Sequence, residues 1–310
     1  MADIVITEFM DEAAVERLKA RHDTLYDPTL ADRPDELAAL AISARALIVR
    51  NRTQVRGLLI AGARRLRCVG RLGVGLDNID VSACKANGIA VYPATGANDL
   101  SVAEYVITAA SMLLRRAYLA TADVAAGKWP RQQMIGGELA GRTMGLIGFG
   151  QIAREVAWRA QALGMSIVAY DPLLDAAHPA WQLARNVSLD GALALADVVS
   201  LHVPLTDQTH NMIAAPQLAA MKLGAILINA ARGGVVDEAA LAAVLREGRI
   251  GGAALDVFAH EPLTAEAGAK FVGLQNLILT PHIAGVTEES NVRVSAVIAD
   301  LVLNHLDRHA

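Results

Sequence analysis

The stretch Thr143-Met144-Gly145-Leu146-Ile147-Gly148-Phe149-Gly150-Gln151-Ile152-Ala153 runs from an apolar strand pattern through two glycines into helical spacing. Residues 166–170 then read as a second strand that ends at Asp171. Strand, glycine turn, helix, strand and acid in this order leave few folds open, because they define one parallel strand–helix–strand unit. Gly148 permits the tight bend, and Gly150 lets the backbone approach a pyrophosphate. Gln151 and Ile152 open the helix, where free N–H groups and the positive dipole end face an anion. Ala153 stands where the pattern often has a third glycine, a replacement it accepts. Asp171 would accept hydrogen bonds from a ribose hydroxyl and repel a 2′-phosphate, so the turn favours NAD over NADP. A glycine turn alone commonly joins strand to helix without any ligand. With both strands, helix and acid in place, a dinucleotide site is the better reading. Asp171 by itself, before Pro172, reads equally well as a turn residue.

Around this unit there is room for two domains, since 310 residues are long for one core. The chain is 54% apolar and 19% charged, as soluble globular proteins are. A net charge of -4 gives no reason to expect a nucleic-acid partner. Met1-Ala2-Asp3 is not a basic region leading into an apolar core, so no signal peptide is expected. Residues 105–114, the longest uncharged apolar stretch of the central helix, are too few to span a bilayer, so no membrane partner is expected either. Cys68 and Cys84 share no metal-like or redox spacing and read as packed small hydrophobes in a reducing cytoplasm. His178, His202, His210, His260 and His282 lack ligand-type spacing, so no metal site is expected.

In chain order, residues 4–7 open as a strand, and Asp11 is placed to cap a helix with Ala14, Val15 and Leu18 on one face. A short strand at 24–26 and a helix at 34–43 follow, then strands at 46–49, 67–70 and 89–92. This alternation predicts a parallel, doubly wound sheet over residues 1–97. Ser101-Val102-Ala103-Glu104 reads as a capping box starting a long helix, with Val102, Val106, Ala109 and Leu113 on one side, that extends past Arg116 toward Gly127. A second α/β unit begins at Thr143, with later strands near 198–201, 225–228, 252–255 and 277–279. The last helix, about residues 288–306, is expected to pack back on the first unit. The expected domains are therefore 1–97 plus 286–310, discontinuous, and an inserted 98–285.

Ligands of open α/β sheets gather at the carboxyl ends of the strands. Three residue sets lie there in the second unit: 229–234, with Ala230, Ala231 and Arg232; 256–262, with Asp256 and Glu261; and 280–285, with His282 and Gly285. Hydride transfer from a hydroxy acid needs a base for the hydroxyl proton, which histidine can be. It needs a carboxylate to hold the imidazole, and a cation to grip the substrate carboxylate, for which arginine is suited. His282, Glu261 and Arg232 supply these types. Each alone fits a structural loop residue; three together on three strand ends of one sheet point to chemistry.

These residues resemble the D-isomer-specific 2-hydroxyacid dehydrogenase family over nearly the whole chain. The likeness is carried by residues 136–150, by His202-Val203-Pro204-Leu205-Thr206 with Thr209, and by the run from Arg232 to Asp237-Glu238. Glu261-Pro262, Pro281-His282, Gly73-Val74-Gly75 with Asp77-Asn78-Ile79-Asp80, and Asn98 with residues 101–104 complete it. The resemblance implies an α/β fold of two doubly wound parallel-sheet domains, a Rossmann NAD-binding domain inserted into a flavodoxin-like substrate domain. It implies that Arg232, Glu261 and His282 are catalytic, with His282 as proton donor and acceptor. It implies that Asp256 and Gly285 lie near the nicotinamide carboxamide, and that Val203, Pro204, Thr209, Ala230, Ala231, Arg232 and His282 border the cofactor. On the substrate side it implies Arg50, Asn51, Val74 and Gly75 together with Arg232 and His282. It also implies a homodimer joined through the cofactor domains. The likeness is closest to the short phosphoglycerate dehydrogenase-like branch and, within it, to bacterial sulfolactate dehydrogenases, through Glu8-Phe9-Met10-Asp11-Glu12 and Arg50-Asn51-Arg52-Thr53. Asn51 stands where phosphoglycerate dehydrogenases usually carry serine.

On the residues alone, Arg50, Arg52 and Arg71 follow predicted strands of the first unit. Facing the crevice they would hold a sulfonate, a phosphate or a second carboxylate; each single one reads equally well as a solvated loop arginine. Gly73-Val74-Gly75 reads as a tight turn that can offer N–H groups to an anion. The expected function is NAD-dependent interconversion of a D-type 2-hydroxy acid and its 2-oxo acid. A dianionic substrate is expected, sulfolactate ahead of 3-phosphoglycerate. A glyoxylate or hydroxypyruvate reductase is the alternative within the class. An NAD-sensing binding protein or co-repressor is the alternative outside it.

Overall fold

A computed structural model describes residues 2–116 and 119–308. The chain separates into two compact units, Met1–Asn98 with Val286–Ala310, and Asp99–Gly285. Asn98 groups with the first unit, one residue past the boundary expected at 97.

The first unit holds five parallel strands: β1 Ile4–Ile6, β2 Thr24–Tyr26, β3 Ala46–Val49, β4 Cys68–Arg71 and β5 Ala90–Pro93, in the order β2-β1-β3-β4-β5. This is the flavodoxin-like order. Alternate side chains enter opposite layers. Ile4, Ile6, Ala46, Ile48 and Cys68 pack with Val15 and Leu18 of the Glu12–Lys19 helix and with Ile298 and Val302 of the Glu288–Arg308 helix. Val5, Leu47, Val49 and Val69 pack with Leu37, Ala41, Ile60 and Cys84. Both sheet faces are covered, which is why these strands read as unbroken apolar runs. The Glu288–Arg308 helix lies directly on β4: a Cβ at Gly70 would stand 2.6 Å from Ile298 Cγ2. Several expectations shift. The strands at 67–70 and 89–92 each start and end one residue later, and the helix at 34–43 stops at Ala41. Asp11 precedes its helix but its side chain makes no cap; its backbone N–H donates to Ser295 Oγ at 3.0 Å.

The second unit holds seven strands: β6 Thr143–Ile147, β7 Ser166–Tyr170, β8 Arg185–Asn186, β9 Val198–Leu201, β10 Ile226–Asn229, β11 Gly252–Leu255 and β12 Leu277–Leu279. They run parallel in the order β12-β11-β10-β9-β6-β7-β8. From β6 the chain builds outward first through β7 to β8, then returns to β9 on the other side. The crevice between the carboxyl ends of β6 and β9 is thus the switch point at which such sheets bind ligands. The capping box at 101–104 is not one. The helix is Asp99–Arg115, and Ser101 is buried inside it. Nor does that helix extend to Gly127: Arg116 takes a left-handed φ of 53°, and a separate helix, Thr121–Ala125, follows. Residues 117 and 118, which the expected extension crossed, lie outside the described residues.

Among the described residues, no helix is long and apolar enough to cross a membrane. Nor does any group of His, Cys, Asp and Glu among them form a candidate metal site. Cys68 and Cys84 are buried thiols, and burial pushes Cys68 up to about 12, so it stays protonated and unreactive.

Candidate active site

The glycine turn closes β6 onto the Gln151–Ala162 helix. Gly148 has a φ of 85°, and a Cβ there would stand 2.6 Å from the His202 carbonyl oxygen, so only glycine fits. At Gly150 a Cβ would meet nothing within 4 Å, so the space before the helix start is open. No side chain caps that helix, which leaves its first N–H groups for an outside acceptor. Asp171, at the end of β7, accepts the Phe149 N–H at 2.8 Å and the Leu173 N–H at 2.9 Å, one on each carboxylate oxygen. Each oxygen keeps a lone pair for a further donor such as a ribose hydroxyl. An uncapped helix start, an open glycine and a half-exposed carboxylate at the switch point fit a dinucleotide. Across the crevice, Thr209 Oγ1 donates to the Pro204 carbonyl at 2.6 Å and accepts the Thr206 N–H at 2.8 Å, closing the 204–209 loop on itself. Val203 Cγ1 would stand 3.0 Å from a Cβ at Gly148. His202 lies 3.0 Å from Ser200 Oγ, and burial lowers it to about 4, so it is neutral at physiological pH and serves as scaffold.

Beyond β10, β11 and β12, three loops meet. Asn229, buried at the end of β10, donates to the Arg232 carbonyl at 2.9 Å and accepts the Ala231 N–H at 3.1 Å, which sets the path of the 230–232 loop. Gly233 packs on the next loop so closely that a Cβ would stand 1.8 Å from the Phe258 carbonyl oxygen. Glu261 Oε1 accepts the Phe258 N–H at 3.0 Å, and Glu261 Oε2 lies 2.7 Å from His282 Nδ1. Burial works to raise the Glu261 carboxyl; the hydrogen bond with His282, the Phe258 N–H and the charges of His282 and Arg232 outweigh it and hold it below its ordinary value. The charge of Arg232 is therefore felt at the dyad. Asp256 is 1% exposed, accepts the Ile283 and Ala284 N–H groups at 2.8 Å each, and so shapes the turn from which His282 projects. Both its oxygens are engaged within the protein, and Gly285 follows directly on that turn. The arrangement can hold an imidazole on a carboxylate and leave Nε2 for a proton exchanged with substrate.

In the first unit, Arg50 follows β3, and Arg71 ends the neighbouring β4. Glu8, 4% exposed, accepts the backbone N–H groups of Arg50, Arg52 and Thr53 at 2.9, 3.0 and 3.0 Å. Asn78 donates to the Arg50 and Thr53 carbonyls at 3.1 and 2.7 Å, so the loop bearing Asn51 is fixed from both sides. The Arg50 guanidinium donates to Asn291 Oδ1 at 2.9 Å, whereas Arg52 pairs with Asp32 at the surface. Arg71 folds over Gly73, where a Cβ would stand 1.5 Å from its Nη1, and donates to the Leu72 carbonyl at 3.1 Å. Val74 and Gly75, partly exposed, follow directly on that contact.

Among known families, residues 107–284 match the D-isomer specific 2-hydroxyacid dehydrogenase NAD binding domain. The chain belongs to this dehydrogenase family. It is similar to the (S)-sulfolactate dehydrogenase of Chromohalobacter salexigens, 55% identical over 303 residues and 97% of each chain. It is 37% identical over 301 residues to the D-3-phosphoglycerate dehydrogenase of Archaeoglobus fulgidus, spanning 56% of that longer protein. Among solved structures it resembles the D-lactate dehydrogenase of Aquifex aeolicus complexed with NAD and lactic acid, with a TM-score of 0.87, 29% identity and coverage of 98% of this chain and 96% of that one. The dehydrogenase is thus an NAD-dependent oxidoreductase of 2-hydroxy acids built from two parallel-sheet α/β domains. What the sequence reading missed are the groups that hold the dehydrogenase's loops in shape: Glu8, Asn78 and Asn229. Their one signal is a polar residue beside an apolar strand, which does not disclose its partner.

Proposed function

We propose that this dehydrogenase interconverts sulfolactate, or another D-type 2-hydroxy acid with a second anionic group, and the corresponding 2-oxo acid. The observation that carries the reading is the His282–Glu261 pair at 2.7 Å, on strand ends of the sheet that also bears the glycine turn. When bound, NAD supplies the hydride acceptor in oxidation, and its reduced form the donor in reduction. His282 Nε2 takes the hydroxyl proton as the alcohol is oxidised and returns it as the oxo acid is reduced. Glu261 orients the ring through Nδ1 and stabilises its charged form. Arg232 grips the carboxylate and the adjacent oxygen as a fork. Gly148, Gly150, Gln151, Ile152 and Asp171 hold the dinucleotide, with Val203, Pro204, Thr209, Ala230, Ala231, Asp256 and Gly285 along its length. Residues 1–97 with 286–310 act as the substrate domain and 98–285 as the cofactor domain, in a homodimer joined through the latter; these assignments rest on the family resemblance.

The substrate choice is supported by the 55% identical relative named for (S)-sulfolactate and by Arg50 and Arg71 on neighbouring strand ends. The stereochemistry agrees. In lactate the carboxyl outranks the methyl, but in sulfolactate the sulfur-bearing carbon outranks the carboxyl. The descriptor therefore inverts, and (S)-sulfolactate has the spatial arrangement of D-lactate. The test is NADH oxidation with sulfopyruvate, phosphohydroxypyruvate, hydroxypyruvate and glyoxylate. The highest kcat/KM is expected with sulfopyruvate. A preference for hydroxypyruvate or glyoxylate would remove the dianionic substrate, and tight NADH binding with no turnover at all would favour the sensor.

A further inference from the structure

Behind the turn that carries His282 lies a chain of three polar side chains that never reach the dyad. Tyr105, on the Asp99–Arg115 helix, has its hydroxyl 2.6 Å from Thr280 Oγ1, and Thr280 Oγ1 lies 2.6 Å from Asp256 Oδ1. The chemistry sets the direction. Thr280 Oγ1 donates to Asp256, which accepts the Ile283 and Ala284 N–H groups in addition, and a carboxylate only accepts. The Thr280 proton therefore goes to Asp256, and the Thr280 oxygen has only lone pairs left for Tyr105. Tyr105 must donate. Burial, together with the Asp256 charge, raises the Tyr105 phenol despite the Thr280 contact, so it keeps that proton across the working pH range. At the far end, the Asp256 carbonyl accepts the His282 N–H at 2.8 Å, and His282 has a φ of 58°. A side chain bearing a Cβ resists that backbone conformation unless its surroundings impose it. The His282 N–H is shared with the Thr280 carbonyl at 3.0 Å, the Asp256 carboxylate holds the next two N–H groups, and Asp256 in turn is held by Thr280.

We propose that Tyr105 is a positioning residue for the proton-transfer step: the one-way chain Tyr105 to Thr280 to Asp256 fixes the 282–284 turn and with it the aim of the His282 imidazole. This rests on the reading of His282 as the acid/base group.

The experiment uses the full chain in four variants, Tyr105→Phe, Thr280→Val, Thr280→Ser and the double Tyr105→Phe/Thr280→Val. It combines steady-state kinetics with the preferred oxo acid and amide hydrogen exchange of the turn without substrate. Tyr105→Phe is expected to lower kcat about fivefold, the scale of one net hydrogen bond, with oxo acid KM unchanged. The Ile283 and Ala284 amides should exchange faster by a similar factor. The double variant should be no slower than Thr280→Val, because the phenol acts only through that hydroxyl. Thr280→Ser, which keeps the hydroxyl, should restore the rate lost in Thr280→Val. A wild-type kcat and wild-type exchange in Tyr105→Phe would overturn the proposal, as would rate losses that multiply in the double variant. If Tyr105→Phe melts early, Thr280→Val against Thr280→Ser carries the same comparison. If the parent enzyme and His282→Ala are equally inert with every oxo acid, the dehydrogenase reading of the dyad fails, and the exchange rates still decide on the chain.

Discussion

At the residue scale the site depends on which groups stay charged. Glu261 is partly buried, which alone would favour its neutral form, yet its partners hold it ionised below its ordinary value of 4.5. A carboxyl depressed in the folded state contributes stability that is complete above its free value and is lost as pH falls through the lowered one. The pairing thus persists at neutral pH and fails only in acid. Glu261→Gln keeps the shape and a hydrogen bond but removes the charge that stabilises imidazolium. Glu261 protonates only in acid, so the parent's rate should fall toward the acid limb through this group and the Glu261→Gln rate should not. At neutral pH kcat should fall about 10²-fold, with NADH affinity unchanged. His282→Ala should lose the proton transfer outright and also keep NADH affinity. Stopped-flow reduction across pH checks both; a Glu261→Gln profile superimposable on the parent's would remove the carboxylate from the mechanism.

At the element scale the strand–turn–helix of residues 143–162 separates two uses of glycine. Gly148 is demanded by the fold, since its φ is 85° and the His202 carbonyl fills the Cβ position. Gly150 is extended at φ -72°, with open space in front of it. Gly148→Ala should therefore cost about 1–3 kcal/mol of stability and abolish NADH binding with it. Gly150→Ala should leave Tm almost unchanged and still weaken NADH binding, because the new methyl projects into the space left for the pyrophosphate. Equal Tm losses in both variants, measured by calorimetry, would mean that Gly150 too is only architectural. The contrast also marks what a sequence can disclose. β9 and β11 have the bounds that their largely apolar runs predict, because both are buried throughout; β12, a partly exposed edge strand, has its predicted bounds too. The long helix was legible in its face but not in its ends. Ser101 looks like a cap but is buried within the helix, and the stop at Arg116 uses a left-handed arginine where no glycine or proline announces it. Likewise Arg232, Glu261 and His282 could be read as chemistry on strand ends. Nothing local pairs Glu8 with the 50–53 loop, or Tyr105 with Thr280, 175 residues away; such contacts exist only once the sheets form.

At the scale of the whole molecule, the chain leaves its first unit at Asn98 and returns at Val286. One layer of the first unit's core is completed only by the last helix, through Val294, Ile298, Val302, Leu303 and Leu306. Burial of such side chains contributes about 1.5–3 kcal/mol each, so together they match the roughly 5–15 kcal/mol by which a domain is stable. Neither core cluster of the second unit draws on a residue beyond Ile278. A chain ended after Gly285 should therefore lose the first unit and keep the second. Amides of β1, β3 and β4 should exchange freely and oxo acid turnover should vanish, while NADH still quenches protein fluorescence with an affinity close to that of the full chain. Protection surviving in β1 and β3 would mean that the first sheet is stable with that face covered by the Glu12–Lys19 helix alone. Loss of NADH binding would mean that the cofactor turn depends on the first unit's fold as well as on its own two core clusters.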